Sequence, residues 1–258
     1  MSVIFNNMDP NCTSKHPSKG NQLKFCIDNI WYKADFLGYE GASEYLASEI
    51  LKQSNCNDLF SFVEYQMTDI VYNDQKFIGC KSKDFLKHRQ DSPEIICLDT
   101  ALTAFTGSPV SVLFKDKSLT QQITFTVDTI VENTGLTDFG KYLTFLFEFD
   151  RLILNEDRHM SNIAILKTTD GYDYCPIFDH GAAFLSDTQI DYPINKSVFG
   201  LMTKVKAKPF HVDFDKQVDA CTMLYGKTLQ VYNTDLSAQF IEIENKYNHT
   251  IRERMSDI

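Results

Sequence analysis

The sequence predicts an α+β fold of two lobes, a small and mostly antiparallel β lobe with one helix, followed by a larger and mostly helical C-terminal lobe. Three observations carry that expectation. Strand-like runs joined by the turn pairs Asp28-Asn29 and Asn73-Asp74 crowd the first part of the chain, the apolar spacing becomes helical from about Pro93, and one polar stretch at 154–181 interrupts the helices. The expected division is 1–84 and 85–258.

Composition supports a folded chain with a sizeable core, since 43% of the 258 residues are hydrophobic, with 20 Phe and 12 Tyr. The 35 acids against 25 bases give a net charge of -10, which disfavours nucleic acid and anionic membrane surfaces as partners and favours a protein or small-molecule substrate. The first residues lack a basic segment and a long apolar run, and the most apolar region, 142–154, is broken by Glu148, Asp150 and Arg151. A soluble, cytoplasmic protein with no membrane segment is expected. The seven cysteines are widely spaced, so reduced thiols without a zinc site are expected.

Residues 1–17 are polar, carry Asp9-Pro10 and His16-Pro17, and are expected to be irregular. Runs 22–27 and 30–34 flank Asp28-Asn29 as a hairpin with Lys33 on its second strand. Residues 41–53 read as a helix, with Ser43 as a possible cap, Tyr45, Leu46 and Ile50 as its stripe, and the acids Glu44 and Glu49. Strands are expected at 61–71 and 75–80, then a linker at 82–85. In the second lobe, 120–133 and 137–154 are the clearest helices, the first ended by Gly135 and the second capped by Asp138. The second is apolar around much of its circumference and is expected to be the central buried helix. A hairpin at 163–167 and 172–178, loops with at most one short helix at 188–209, and helices at 214–226 and 235–254 complete the chain.

The polar stretch contains Asn155-Glu156-Asp157-Arg158-His159-Met160-Ser161-Asn162, then Ile177-Phe178-Asp179-His180-Gly181. An acid, an amide five residues on and a second acid on the following loop can converge on one cation-bound phosphate. Phosphoryl transfer needs phosphate charge neutralised and the acceptor hydroxyl aimed. Mg2+ takes oxygen ligands, usually one or two from protein with phosphate and water making up the rest. Asn162 and Asp179 are therefore candidate metal ligands, and Asp157 is the candidate group for the acceptor hydroxyl. Near the start, Ser18-Lys19-Gly20 precedes the first strand, where Gly20 permits close backbone approach and successive amides can cradle an anion.

Asp-Arg-His-x-x-Asn followed by Phe-Asp-x-Gly resembles the catalytic and metal loops of atypical kinases, the group containing HipA-like serine/threonine kinases and phosphatidylinositol kinases. Gly-x-Gln-x-Lys at 20–24 is similar to the phosphate loop of HipA-like kinases and favours that branch. The resemblance implies a two-lobed protein-kinase-like fold, ATP and Mg2+ as cofactors, and a protein substrate with a Ser or Thr acceptor. It implies that Lys33 and an acid on the following helix hold the nucleotide phosphates. Glu44 is chosen because Glu-Tyr at the helix start resembles that family, with Glu49 the runner-up. Adenine would meet backbone near 80–85, around Cys80, Ser82 and Phe85. His159 either braces the loop or acts as a base, its unperturbed pKa of about 6.5 suiting proton transfer. His180 stands where ordinary kinases carry Phe and either touches a phosphate or packs. Residues 13–20 are expected to cover the phosphates and to be self-phosphorylated, Ser18 being nearest in register.

Two other readings are open. A small-molecule or lipid/inositol kinase of the same fold would carry the same loops. A nucleotide-binding pseudokinase acting as an interaction module would have no need of Asp157.

Overall fold

The structure is a computed structural model that describes residues 2–5, 22–87, 89, 91–233 and 235–258. Its first layer is a five-stranded sheet built from β1 (Ser2–Phe5), β2 (Lys24–Ile27), β3 (Ile30–Ala34), β4 (Tyr65–Tyr72) and β5 (Gln75–Lys83) in the order β1-β4-β5-β3-β2. All neighbours are antiparallel except β1 and β4. The turns are the two read from sequence: Asp28, Asn29, Asn73 and Asp74 all have left-handed backbones, as two-residue hairpins require.

β1 lies where irregular chain was expected. Its four residues pair with a strand 67 positions along the chain, and Phe5 is fully buried with its ring stacked on Phe25 at 4.1 Å. So short a strand is stabilised by that distant pairing, which no local pattern announces. β4 also begins later than expected, because 61–63 leaves the sheet to exchange hydrogen bonds with Ile177. β5 runs on to Lys83 where a linker was expected, paired on both sides up to Ser82 and with β3 alone at Lys83.

Helix α1 (Glu40–Lys52) packs across β4 and β5. Ser43 does not cap it: the side chain is buried one turn in and donates to the Ala183 carbonyl. The helix start is satisfied instead by Asp35, whose Oδ1 accepts from Gly41 N at 2.6 Å, while Glu40 accepts from the amides of Leu37 and Gly38. Gly41 allows the close crossing, since a Cβ there would stand 2.6 Å from the Gly79 carbonyl carbon.

After the short α2 (Cys56–Leu59) and the sheet, the chain forms β6 (Glu94–Cys97), α3 (Leu98–Thr106), α4 (Val110–Leu113), α5 (Leu119–Thr134) and α6 (Phe139–Ile153). Strand β6 falls inside a region expected to be helical. It pairs with β7 (Ala164–Lys167), which pairs with β8 (Tyr172–Tyr174), so the expected hairpin is the middle and edge of a three-stranded sheet. Ser118 and Gln121 close a capping box on α5, and Gly135 ends it in the left-handed region. Asp138 occupies the cap position of α6 without capping it and pairs with Lys141 instead.

Helix α6 is central as expected: Phe139, Leu143, Phe145, Leu146, Phe147 and Phe149 are all buried in the main core. The single short helix at 188–209 is α7 (Val198–Met202), followed by α8 (Phe214–Tyr225). The last expected helix is broken into α9 (Ser237–Lys246) and α10 (His249–Ser256), because Asn248 turns extended and caps the second through Ile251 N at 3.0 Å. Among the described residues no helix is long and apolar enough to cross a membrane.

Candidate active site

The loop carrying Asp157 is built on a buried ion pair. Helix α6 ends at Leu154, which turns left-handed and sends the chain back over the helix. Asp150, on the last turn, accepts from Asn155 Nδ2 at 2.8 Å and from Arg158 Nε and Nη2 at 2.9 and 3.1 Å. Arg158 then gives Nη1 to the carbonyls of Asn162 and Phe178, at 3.0 and 2.8 Å. One side chain, only 1% exposed, ties the helix end, the 157–162 loop and the strand exit before Asp179. Burial pushes the Asp150 carboxyl up, and the Arg158 guanidinium pulls it back.

Asp157 and Asn162 are held together by that frame, with Asn162 Nδ2 donating to the Asp157 carbonyl at 2.9 Å. Asp157 Oδ1 accepts from Lys208 Nζ at 2.8 Å. His159 braces the loop with its backbone, donating to the Asp157 carbonyl and accepting from Asn162 N, both at 2.8 Å. Its ring Nε2 stands 3.8 Å from Asp157 Oδ2, beyond hydrogen-bond reach.

From the sheet side, Lys33 on β3 lies between two carboxylates, with Nζ 2.5 Å from Glu44 Oε1 and 2.8 Å from Asp179 Oδ1. Glu49 is on another face of α1, bonded to Lys52 and Gln239. Glu44 also accepts from His180 N at 2.8 Å, so the acid on α1 is tied to the loop bearing Asp179. Burial alone would lower the pKa of Lys33, but Asp179 and Glu44 hold it well above its ordinary value. Burial would raise Asp179, yet the ammoniums of Lys33 and Lys24 hold it well below the usual carboxylate range. Asp179 is therefore a charged oxygen donor.

His180 packs. It is 1% exposed, its ring meets Phe149 edge to face at 5.3 Å, and among the described residues neither ring nitrogen has a hydrogen-bond partner. Burial, with Arg158 adding to it, drives its pKa well below the ordinary imidazole value, so the ring is neutral.

Asp157, Asn162, Asp179 and Gly181 line one cleft together with Gln22, Glu156 and Asp187. The donors are oxygens, as a hard cation requires. Among the described residues no three His, Cys, Asp or Glu side chains converge on one point, so a cation held by Asn162 and Asp179 would complete its shell with phosphate and water, the habit of Mg2+. Asp187 is buried with Oδ2 accepting no hydrogen bond among the described residues.

A second cleft lies between 62–64 and 81–85, and Ser82 and Phe85 line it. Cys80 does not. It is buried in the middle of β5, paired with Lys33 on one side and Met67 on the other, so the expected 80–85 segment is corrected to one that opens only toward the end of β5. The chain leaves the sheet at Asp84, whose Oδ1 accepts from Leu86 N and Lys87 N. Ser18, Lys19 and Gly20 lie outside the described residues.

Three members of the site had no expected role. Lys208 comes from a distant loop and no motif marks it. Lys24, although part of the quoted Gly-x-Gln-x-Lys, is the cross-strand partner of Lys33 and shares its field: burial lowers its pKa while Asp179 raises it. Counting register back from Lys33 across the Asp28-Asn29 turn finds it. Arg158 is marked in the sequence only as the middle of Asp-Arg-His.

No protein-family model matches the chain, and no curated protein matches it. Among solved structures, the Helicobacter pylori proinflammatory kinase CtkA superposes with a TM-score of 0.61 at 18% identity, covering 100% of this chain and 92% of that one. The HipA of Shewanella oneidensis MR-1, solved with HipB and operator DNA, gives a TM-score of 0.45 at 12% identity, covering 96% of this chain and 66% of that one. The CtkA match gives this chain a kinase-like two-lobed fold.

Proposed function

We propose that this protein is an ATP- and Mg2+-dependent kinase that transfers the γ-phosphate to Ser or Thr hydroxyls of a protein, itself included. The observation that carries the proposal is that Lys33 joins Glu44 to Asp179, and that Asp179 lines one cleft with Asp157 and Asn162 in a kinase-like fold. The name of the Helicobacter pylori neighbour supports a kinase, and the oxygen-only donors support Mg2+. Among the described residues Cys26, Cys56, Cys80, Cys175 and Cys221 form no disulfide, which suits a reducing cytoplasm.

In this reading Glu44 holds Lys33 where its ammonium can engage the inner phosphates, and adenine enters the cleft lined by Ser82 and Phe85. Asn162 and Asp179 would hold Mg2+, which when bound neutralises charge on the transferring phosphate. Asp157 orients the acceptor hydroxyl and takes its proton as the acceptor oxygen bonds to the γ-phosphorus and the bridge to the β-phosphate breaks, leaving ADP. His159 contributes its backbone to the loop. The test is incubation with γ-labelled ATP and Mg2+, alone and with protein mixtures, followed by phosphosite mapping. Label on Ser or Thr that depends on Asp157 supports the reading; label on sugar, lipid or inositol acceptors alone would replace it with a small-molecule kinase.

A further inference from the structure

Beside Asp157 runs the sequence Lys204-Val205-Lys206-Ala207-Lys208, in which Val205 and Ala207 are buried and the three lysines exposed. The alternation over 205–208 follows the period of extended chain, so Lys206 and Lys208 project to the same side, about 7 Å apart, while Lys204 closes the turn after α7, its N donating to the Leu201 carbonyl at 2.9 Å. This edge is held in place. Ala207 N donates to the Val212 carbonyl at 2.9 Å. The buried amide of Gln217 donates to the Lys208 carbonyl at 2.9 Å and accepts from Phe210 N and His211 N at 3.0 and 3.2 Å. Lys208 reaches Asp157, whereas among the described residues no carboxylate pairs with Lys204 or Lys206.

Three lysines in five positions stand out in a chain of net charge -10, and the last of them, Lys208, reaches Asp157. We propose that this edge selects the acceptor: a Ser or Thr in an extended segment with Asp or Glu two positions away, opposite Lys206, and a further acid four positions away toward Lys204. The proposal rests on the kinase reading for its position relative to the hydroxyl. Its physical content is charge complementarity between two extended chains of equal rise at Lys206 and Lys208, and at the turn that begins the edge for Lys204. That complementarity acts chiefly on encounter and register, and it weakens with salt.

The test uses three serine peptides, with Asp, Ala or Lys at the second and fourth positions on either side of the acceptor. Binding is read by fluorescence anisotropy without ATP, and transfer by kcat/KM with ATP, for the wild-type chain and for Lys204→Glu/Lys206→Glu. The wild type is expected to prefer the Asp peptide over the Ala peptide by about five- to tenfold in both readouts, the gap closing in 0.5 M salt. The variant should turn the preference toward the Lys peptide while transferring to the Ala peptide within about twofold of wild type. Equal handling of Asp and Ala peptides, or a preference unchanged in the variant, overturns the proposal. If no peptide is phosphorylated, the kinase reading fails, and the anisotropy arm still decides whether the edge binds acidic chains.

Discussion

Lys33 Nζ bridges two carboxylates on separate elements, Glu44 of α1 at 2.5 Å and Asp179 of the loop after β8 at 2.8 Å. A single ammonium therefore joins the two acids of the site and fastens the sheet to helix α1 and to the loop bearing Asp179.

Removing it should affect both. Lys33→Met leaves the buried Glu44 carboxylate facing the partly exposed Asp179, so transfer should fall on the order of 100- to 1000-fold and stability by about 2–4 kcal/mol. Lys33→Met/Glu44→Gln should regain part of the stability and none of the activity. Thermal melts alongside transfer assays check this, and equal melting of the two variants would contradict the shared-ammonium arrangement.

Arg158 is expected to be as critical without touching substrate. Arg158→Met strands Asp150 in the core and frees the carbonyls of Asn162 and Phe178, for a loss of about 3–5 kcal/mol. Asp150→Asn/Arg158→Met should be more stable than the single variant, because no charge is left buried. Denaturant titration of the three proteins measures the difference.

The pH dependence of stability has a clear sign. His180 is neutral in the fold and titrates near its ordinary value, about 6.5, when unfolded. Below that pH the unfolded chain binds the extra proton, so this residue costs stability increasingly as pH falls, by up to about 1.4 kcal/mol per pH unit until the depressed folded pKa is passed. His180→Phe keeps the edge-to-face packing on Phe149 and removes the titration. Its melting temperature should decline less than that of wild type between pH 6.5 and 5; parallel curves would contradict the buried neutral ring.

Much of this was legible in the sequence because it is local. The two-residue turns, the apolar circumference of α6 and the spacing of Asp157, Asn162 and Asp179 are each written within one short, continuous stretch of sequence. What was hidden depends on partners far along the chain. β1 needs β4, β6 needs β7, and Ser43 looked like a cap until Asp35 and Glu40 took that role. The extension of β5 past Cys80 is fixed by flanking strands. Lys208 reaches Asp157 only because Gln217 pins its loop, a contact across the tertiary fold with no period or motif behind it.

The most direct measurement compares wild type with Asp157→Asn and Asp179→Asn for phosphate transfer and for ATP binding with and without Mg2+. Asp157→Asn is predicted to abolish transfer while ATP affinity stays within a few-fold, because the group acts on the acceptor hydroxyl. Asp179→Asn is predicted to remove the Mg2+-dependent part of binding. Near wild-type transfer by Asp157→Asn, with a defined acceptor, would contradict the assignment of this cleft as the site of phosphoryl transfer.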